Sequence, residues 1–497
     1  MSTQPTPQPQ TEGRQEADRA FYRLLHLAAL SAETRRRTTM NEIATAPEAL
    51  TAHDLEELRS ELRGRVIGPS DPEYDSARRV HNGMIDRRPA VIARCTGVAD
   101  VMVALRFGLE HDLSIAVRGG GHNVAGKAVC DDGIVIDLSG MKGMRVDPRN
   151  RSARAEAGLT WREFDRETQA FGLATTGGAV SDTGIAGLTL GGGIGWLQRK
   201  HGLTCDNLLS ADAVIADGRF LTASESEHPD LFWGLRGGGG NFGIVTSFEY
   251  RLHPLGQVLA GPVLHPFDAA KDAFGFFREF MDSAPDEVSG AFAVGPLPDE
   301  QRAVFLFVCY AGPPERGEKV LAPLRKLGSP LEDLIQPMSY CDLQQAFDAD
   351  FPFGVLNYWK SSNLAALSDD AITTMVSFME SAPSVRPMVF VERLGGAIAR
   401  VPATATAFGH RDAQYDLIIA AIWGSEAEQE AHIEWARSFW DAMQPYSTES
   451  VYVNYLSDEG DERVRAAYGG EHYARLVELK RTYDPENVFR NNQNIKP

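Results

Sequence analysis

Apolar and polar positions alternate in short runs along most of the chain. From residue 90, AVIAR reads as a strand, GVADVMVALRFGLEHD carries helical spacing, and SIAVR and GIVIDLS read as strands. MRVDPRNRSARAEAG predicts two short strands about a proline turn, and TWREFDRETQAFG predicts a helix ended by Gly172. DAVIADGRFLTA predicts a hairpin around Asp217-Gly218, followed by the strand GIVTSFEYRL. This is an α+β pattern, too irregular for the strand–helix alternation of a doubly wound sheet. Past HPLG, near residue 253, DAAKDAFGFFREFMDSAP, AFAVGPL and AVFLFVCYAG predict helices laid on an antiparallel sheet, a pattern that continues to about residue 440. The last segment reads as a polar loop, a helix and a tail. The expected divisions are therefore 1–40, 41–253, 254–440 and 441–497. The first opens with MSTQPTPQPQ, which cannot bury enough apolar surface to order itself, and translation starts either at Met1 or at Met40.

Composition narrows the function. The 497 residues are 43% hydrophobic and 24% charged, ordinary for a soluble protein. A net charge of -19 disfavours nucleic acid and anionic membranes as partners. The five cysteines (Cys95, Cys130, Cys205, Cys309, Cys341) have no spacing of a zinc site or disulfide framework, which reads as a reducing, cytoplasmic setting. The apolar run from Phe21 to Ala32 is broken by Arg23 and His26, too short and polar for a signal peptide or membrane span.

Glycine clusters at Gly119–Gly121, Gly177–Gly195, Gly237–Gly243 and Gly395-Gly396. Each alone is readable as a tight turn. Three clusters in the first half point to a large, flat, phosphate-bearing ligand, because bare backbone lets N–H groups approach it. GGGNFG (Gly238–Gly243) matches G-x-G-x-x-G, but it follows a helical stretch and precedes a strand. The dinucleotide fingerprint needs the opposite order, so that reading is rejected. In AVRGGGHNVAGK a strand delivers His122 into a glycine turn. A neutral imidazole there is a nucleophile able to bond a cofactor carbon. No second His or Cys has the spacing for a metal site.

Several ordered segments together resemble the FAD-linked oxidases of the vanillyl-alcohol oxidase superfamily, berberine-bridge-enzyme-like branch. These are AVRGGGHNVAG, GGAVSDTGIAGLTLGGGIGW, RGGGGNFGIVTSFEYRL, TAFGHRDAQY, YVNY and YDPENVFRNNQNI, spanning about residues 70 to 497. The resemblance implies a two-part, PCMH-type FAD-binding domain over 41–253, a substrate domain over 254–440, and a berberine-like C-terminal segment over 441–497 that closes the FAD domain. It implies that His122 carries an 8α-histidyl FAD. It implies cofactor contacts from Arg118, Gly119, Gly120, Gly121, Asn123 and Val124 in the first loop. Gly178, Thr183, Gly184, Gly187, Leu188, Gly191, Gly192 and Gly193 would add contacts from the second loop, with Ile244 and Asn454 from later segments. Relatives that attach the flavin twice use a cysteine where this chain has Val180, and Cys130 is not at the matching place. One covalent bond is therefore expected.

The implied reaction takes a hydride from a hydroxyl- or amine-bearing carbon of a small molecule to the flavin, with O2 returning the flavin to its oxidised form as H2O2. Tyr455 is favoured as base and Tyr452 as its positioning partner; a phenol needs help to act near neutral pH. In a regular strand Tyr452 and Asn454 share one side and Val453 and Tyr455 the other, so both tyrosines could not face the flavin, but the segment begins a loop. Glu392 in FVERLGG is an acid/base candidate or an exposed strand carboxylate. His410 and Arg411 are substrate or charge-holding candidates, or a structural ion pair. Trp196 either stacks on the adenine or seals the core. Two other functions remain: a dehydrogenase passing electrons to another acceptor, and a non-catalytic flavoprotein that binds a metabolite.

Overall fold

The computed structural model describes residues 50–497, so the N-terminal extension and the alternative start at Met40 lie outside the described residues. The α+β expectation holds. β1 (Arg65–Ile67), β2 (Val91–Arg94), β3 (Ile115–Arg118) and β4 (Ile134–Asp137) form a sheet in the order β1-β2-β4-β3. β2 and β3 flank β4 in parallel, and β1 is antiparallel to β2. Parallel strands are covered on both faces, which is why all four residues of β4, IVID, are buried.

β5 (Met144–Asp147), β6 (Ser152–Glu156), β8 (Leu208–Val214), β9 (Phe220–Ser224) and β10 (Ile244–Arg251) form an antiparallel sheet in the order β5-β6-β10-β8-β9. β7 (Leu173–Ala174) pairs separately with β11 (His253–Pro254). The helix Trp161–Gln169 opens with a capping box between Thr160 and Glu163 and ends three residues short of Gly172. A single apolar core joins both sheets, with Ile136, Ala155, Phe248 and Trp161 among its members.

The third sheet comprises β12 (Val258–Pro266), β13 (Val288–Pro296), β14 (Arg302–Tyr310), β15 (Glu332–Asp333), β16 (Gln336–Met338), β17 (Leu356–Leu364), β18 (Met388–Arg393) and β19 (Tyr415–Trp423). The main path is β15-β12-β14-β13-β18-β19-β17 and all pairings are antiparallel. Helices Ala270–Ser283, Asp369–Glu380 and Gln429–Met443 cover one face, packing Phe274, Met375 and Phe439 onto Val391, Leu417 and Ile419. Side chains alternate across a strand, so Phe390, Glu392 and Ile418 point to the opposite face.

The C-terminal helix Gly470–Tyr483 returns to the first core through Leu476 and Leu479. It is pinned by Lys480 and Asp484, both fully buried and 2.7 Å apart. Lys480 Nζ also donates to Asn241 O, and Asp484 accepts from the Val488 and Phe489 N–H groups. Removing one member leaves a buried charge without its partner. Lys480→Met is expected to cost about 3–5 kcal/mol, read as a lower denaturant midpoint with an unchanged slope. Among the described residues, no helix is long and apolar enough to cross a membrane.

Candidate active site

One large cavity lies between the glycine loops and the uncovered face of the third sheet. Gly119–Val124, Gly178–Val180 and Gly239–Asn241 line it from one side; Trp359, Phe390, Glu392 and Ile418 line it from the other. Asn454, Tyr455 and Asn491–Gln493 bring the C-terminal segment to it. The GGGNFG loop runs from the helix Pro229–Leu235 into β10, the order that excludes the dinucleotide fingerprint.

The glycines divide into two groups. A Cβ on Gly120 would lie 2.3 Å from Gly184 N, so these two let the first and second loops touch. A Cβ on Gly187 or Gly240 would meet nothing within 4 Å, and both residues line the cavity. That open strip of backbone is a cradle for a large ligand, and it fits the dinucleotide of a flavin. Gly187→Leu is expected to lower the flavin-to-protein absorbance ratio without shifting the melting temperature of flavin-free protein, because the added side chain occupies only the cradle.

Four cofactor expectations need correction. Gly191, Gly192 and Gly193 do not line the cavity. A Cβ there would strike Asn454 Oδ1 at 2.1 Å, Phe408 Cδ2 at 2.8 Å and Thr204 Oγ1 at 2.1 Å. They admit the C-terminal segment and neighbouring loop. Arg118 is also turned away: its guanidinium is buried against Asp137 at 2.8 Å and donates to Ala77 O at 2.5 Å. The remaining first- and second-loop candidates, with Ile244 and Asn454, line the cavity.

His122 is held more tightly than a loop-tip histidine suggests. Its ring stacks on His81 with centroids 4.3 Å apart and meets Phe353 edge-on at 5.1 Å. Nδ1 lies 3.4 Å from Thr183 Oγ1, and Nε2 lies 3.0 Å from Asp182 Oδ1 without aligned hydrogen-bond geometry. Burial raises the Asp182 carboxyl, but His122, His81 and Arg162 together outweigh this and leave it below its ordinary value. Burial holds the His81 imidazole below its ordinary value, so His81 presents a neutral ring. His81 carried no motif in the sequence. Val180 lines the cavity, whereas Cys130 packs with its Sγ 3.6 Å from Ser114 O and its thiol pushed up to about 12 by burial.

On the sheet side, Tyr455 Oη donates to Glu392 Oε2 at 3.3 Å. The expected alternation along YVNY fails, because Val453–Tyr455 is a 3-10 turn. Tyr452 and Tyr455 therefore meet edge-on, with centroids 4.9 Å apart. Tyr452 is corrected from catalytic partner to anchor: its hydroxyl accepts from Gly193 N at 2.9 Å and Asn454 Nδ2 at 2.7 Å, and it does not line the cavity. Glu392 is enclosed, not an exposed strand carboxylate. Burial pushes its carboxyl up to about 7, against the Tyr455 hydrogen bond that lowers it. Across the β18–β19 register it faces Asp416, a fully buried acid that accepts from Ser361 Oγ at 3.2 Å. Burial and then Glu392 raise the Asp416 carboxyl well above its ordinary value, which favours its protonated form. Burial, then Glu392 and Asp416, also raise the Tyr455 phenol well above its ordinary value. The expected lowering of the Tyr455 pKa is thus reversed: its neighbours are acids, not cations.

His410 and Arg411 do not line this cavity. Arg411 forms a buried pair with Asp206, Nη2 to Oδ1 at 2.7 Å, and also donates to Thr406 Oγ1. His410 Nε2 bonds Ala466 O at 2.9 Å. The structural ion-pair reading of Arg411 is the one met, with Asp206, 205 residues away in the chain, as partner. Trp196 lines the cavity and stacks on Phe347 at 5.7 Å, on the sheet side. Among the described residues, no group of three or more His, Cys, Asp or Glu could hold a metal ion.

A cradle of bare backbone facing a half-buried acid–phenol pair suits a flavin on one side and a small molecule that gives up a proton on the other. Residues 89–224 match the FAD binding domain model, and residues 451–496 match the berberine and berberine-like model. The chain is 33% identical over 446 residues to the FAD-linked oxidoreductase YgaK of Bacillus subtilis (strain 168), covering 88% of this chain and 98% of that one. It is 34% identical over 453 residues to (R)-6-hydroxynicotine oxidase of Paenarthrobacter nicotinovorans, covering 88% and 97%. The crystal structure of 6-hydroxy-D-nicotine oxidase from Arthrobacter nicotinovorans superposes with a TM-score of 0.81 at 30% identity, over 92% of this chain and 100% of that one. The protein belongs to the FAD-linked oxidoreductases of the berberine-bridge-enzyme-like family, and is an FAD-dependent oxidoreductase with a PCMH-type FAD-binding domain.

Proposed function

We propose that the protein is an oxidase that removes a hydride from a hydroxyl- or amine-bearing carbon of a small molecule, with O2 as the terminal acceptor. The observation that carries this reading is the Tyr455–Glu392 pair on the wall facing the glycine cradle. Bound FAD supplies the hydride acceptor and the reaction with O2. His122 would hold it covalently; its neutral stacking partner His81 and the neighbouring Asp182 carboxylate orient the ring. With valine at 180 and Cys130 packed away from the cavity, a single attachment is favoured.

The protein's own chemistry is proton removal. Tyr455 lies in the cavity wall, where its phenol meets the substrate's hydroxyl or amine. A phenol surrounded by acids cannot hold a negative charge, so Tyr455 passes its proton to Glu392 as it accepts the substrate's. Protonated Asp416 lets Glu392 carry the site's one charge. Tyr452 and Asn454 fix the backbone of this turn against Gly191–Gly193. The five free cysteines are in keeping with a reducing, cytoplasmic setting. Substrate added without oxygen bleaches the flavin, and admitting air restores the colour with one H2O2 per turnover. Restoration that needs an added quinone or dye, with no peroxide, identifies a dehydrogenase instead.

A further inference from the structure

We propose that the substrate is an apolar molecule built on an aromatic or polycyclic ring, neutral or cationic, and not a saccharide or a carboxylate. This rests on the cavity being the oxidase site described above. The strand register puts its sheet-side wall on one face: Ala291 stands opposite both Phe307 and Glu392, and Phe390 stands opposite Ile418. Directly opposed residues share a face of the sheet, so these side chains form a continuous wall.

The segment between β16 and β17 adds two more rings. Phe347 meets Phe307 edge-on at 4.9 Å and stacks on Trp196 at 5.7 Å. Phe351 lies 6.0 Å from Phe390 and 6.2 Å from Trp359, and Trp359 lies 5.7 Å from Tyr455. The rings pack against one another, and the surfaces they turn to the cavity offer flat aromatic area for a ring to lie against. The polar groups on this wall are the Glu392 carboxyl, the Tyr455 hydroxyl and the two indole N–H groups, and the first two bond each other. A sugar brings several hydroxyls per ring, each needing a partner once it leaves water. This wall has too few to offer.

Charge excludes a second class. Among the described residues, the cavity's basic side chains are Lys127, His81 and His122, with no arginine. Lys127 pairs with Asp458 at 3.1 Å, burial keeps His81 neutral, and His122 stands beside Asp182. No cation is left over for a substrate carboxylate. Glu392 among aromatic rings instead suits a neutral group or an amine, which ring faces also attract.

Four probes separate the outcomes: 1-(2-naphthyl)ethylamine, 1-naphthalenemethanol, cellotriose and mandelate. Each is titrated without oxygen into the flavin-loaded protein, reading shifts in the flavin absorption bands for binding and their bleaching for reduction. The naphthyl compounds are expected to shift the bands at least tenfold more tightly than cellotriose or mandelate, and Phe390→Asn to weaken them about tenfold. Band shifts from the naphthyl compounds without bleaching by any probe support the substrate class but count against the oxidase reading. Bleaching by cellotriose or mandelate, or no response to the naphthyl compounds, overturns the proposal.

Discussion

Glu392→Gln slows substrate-driven flavin reduction by about 10²–10⁴-fold, the range expected when a positioned proton acceptor is lost. Glutamine keeps the volume of the side chain and can still accept from Tyr455 Oη, so the cavity wall is retained. What it cannot do is take up the phenol's proton. Tyr455→Phe removes the other half of the relay and is expected to fall in the same range. The double variant should be no slower than the worse single one, because the two groups act as a unit. The pH profile carries a separate signature. The Glu392 carboxyl titrates at about 7; below that it already holds a proton and cannot accept another. The reduction rate therefore rises with pH through about 7 in the wild type, and Glu392→Gln loses this acidic limb. Rapid-mixing absorbance at the flavin band across pH 5–9 measures both effects. A limb that persists in the glutamine variant would falsify the relay.

His122→Ala is expected to abolish the yellow colour that stays with the protein after acid precipitation. Wild-type precipitate should keep all of its flavin, and the variant should release all of it to the supernatant. The variant should still bind FAD without a bond, because the open backbone at Gly187 and Gly240 is untouched. Colour before precipitation but not after separates loss of attachment from loss of the cradle. His81→Phe keeps a flat ring against His122 and is expected to retain the bond, since its role is to pack the imidazole.

The parts of this site that local sequence dictates were legible before the structure was. A strand running into three glycines and a histidine is a local conformation, and the cavity side of His122 follows from it. The direction of GGGNFG, helix first and strand second, was equally local. Packing between distant segments was not. Gly191–Gly193 look like any phosphate loop until Asn454, Phe408 and Thr204 are brought against them. Arg411 reads equally as a charge-holding residue or as half of an ion pair until the fold supplies Asp206. Glu392 could be named, but whether it was enclosed depended on the β13–β18–β19 register, which the apolar pattern cannot fix because both faces of that sheet are covered or enclosed. Asp416 was missed for the same reason. Alternation along a strand would put Tyr452 and Tyr455 on opposite sides, and the 3-10 turn brings them edge to edge instead.

The proposed anchoring of the flavin at one residue is tested most directly by mass spectrometry of tryptic peptides from acid-precipitated wild-type protein. Trypsin cuts after Arg118 and Lys127, which isolates His122 in GGGHNVAGK and leaves Cys130 on the next peptide. The predicted result is one flavin-bearing peptide, GGGHNVAGK plus FAD, with its fragments placing the flavin on the histidine. FAD released to the supernatant, or a flavin joined to the peptide carrying Cys130, contradicts it.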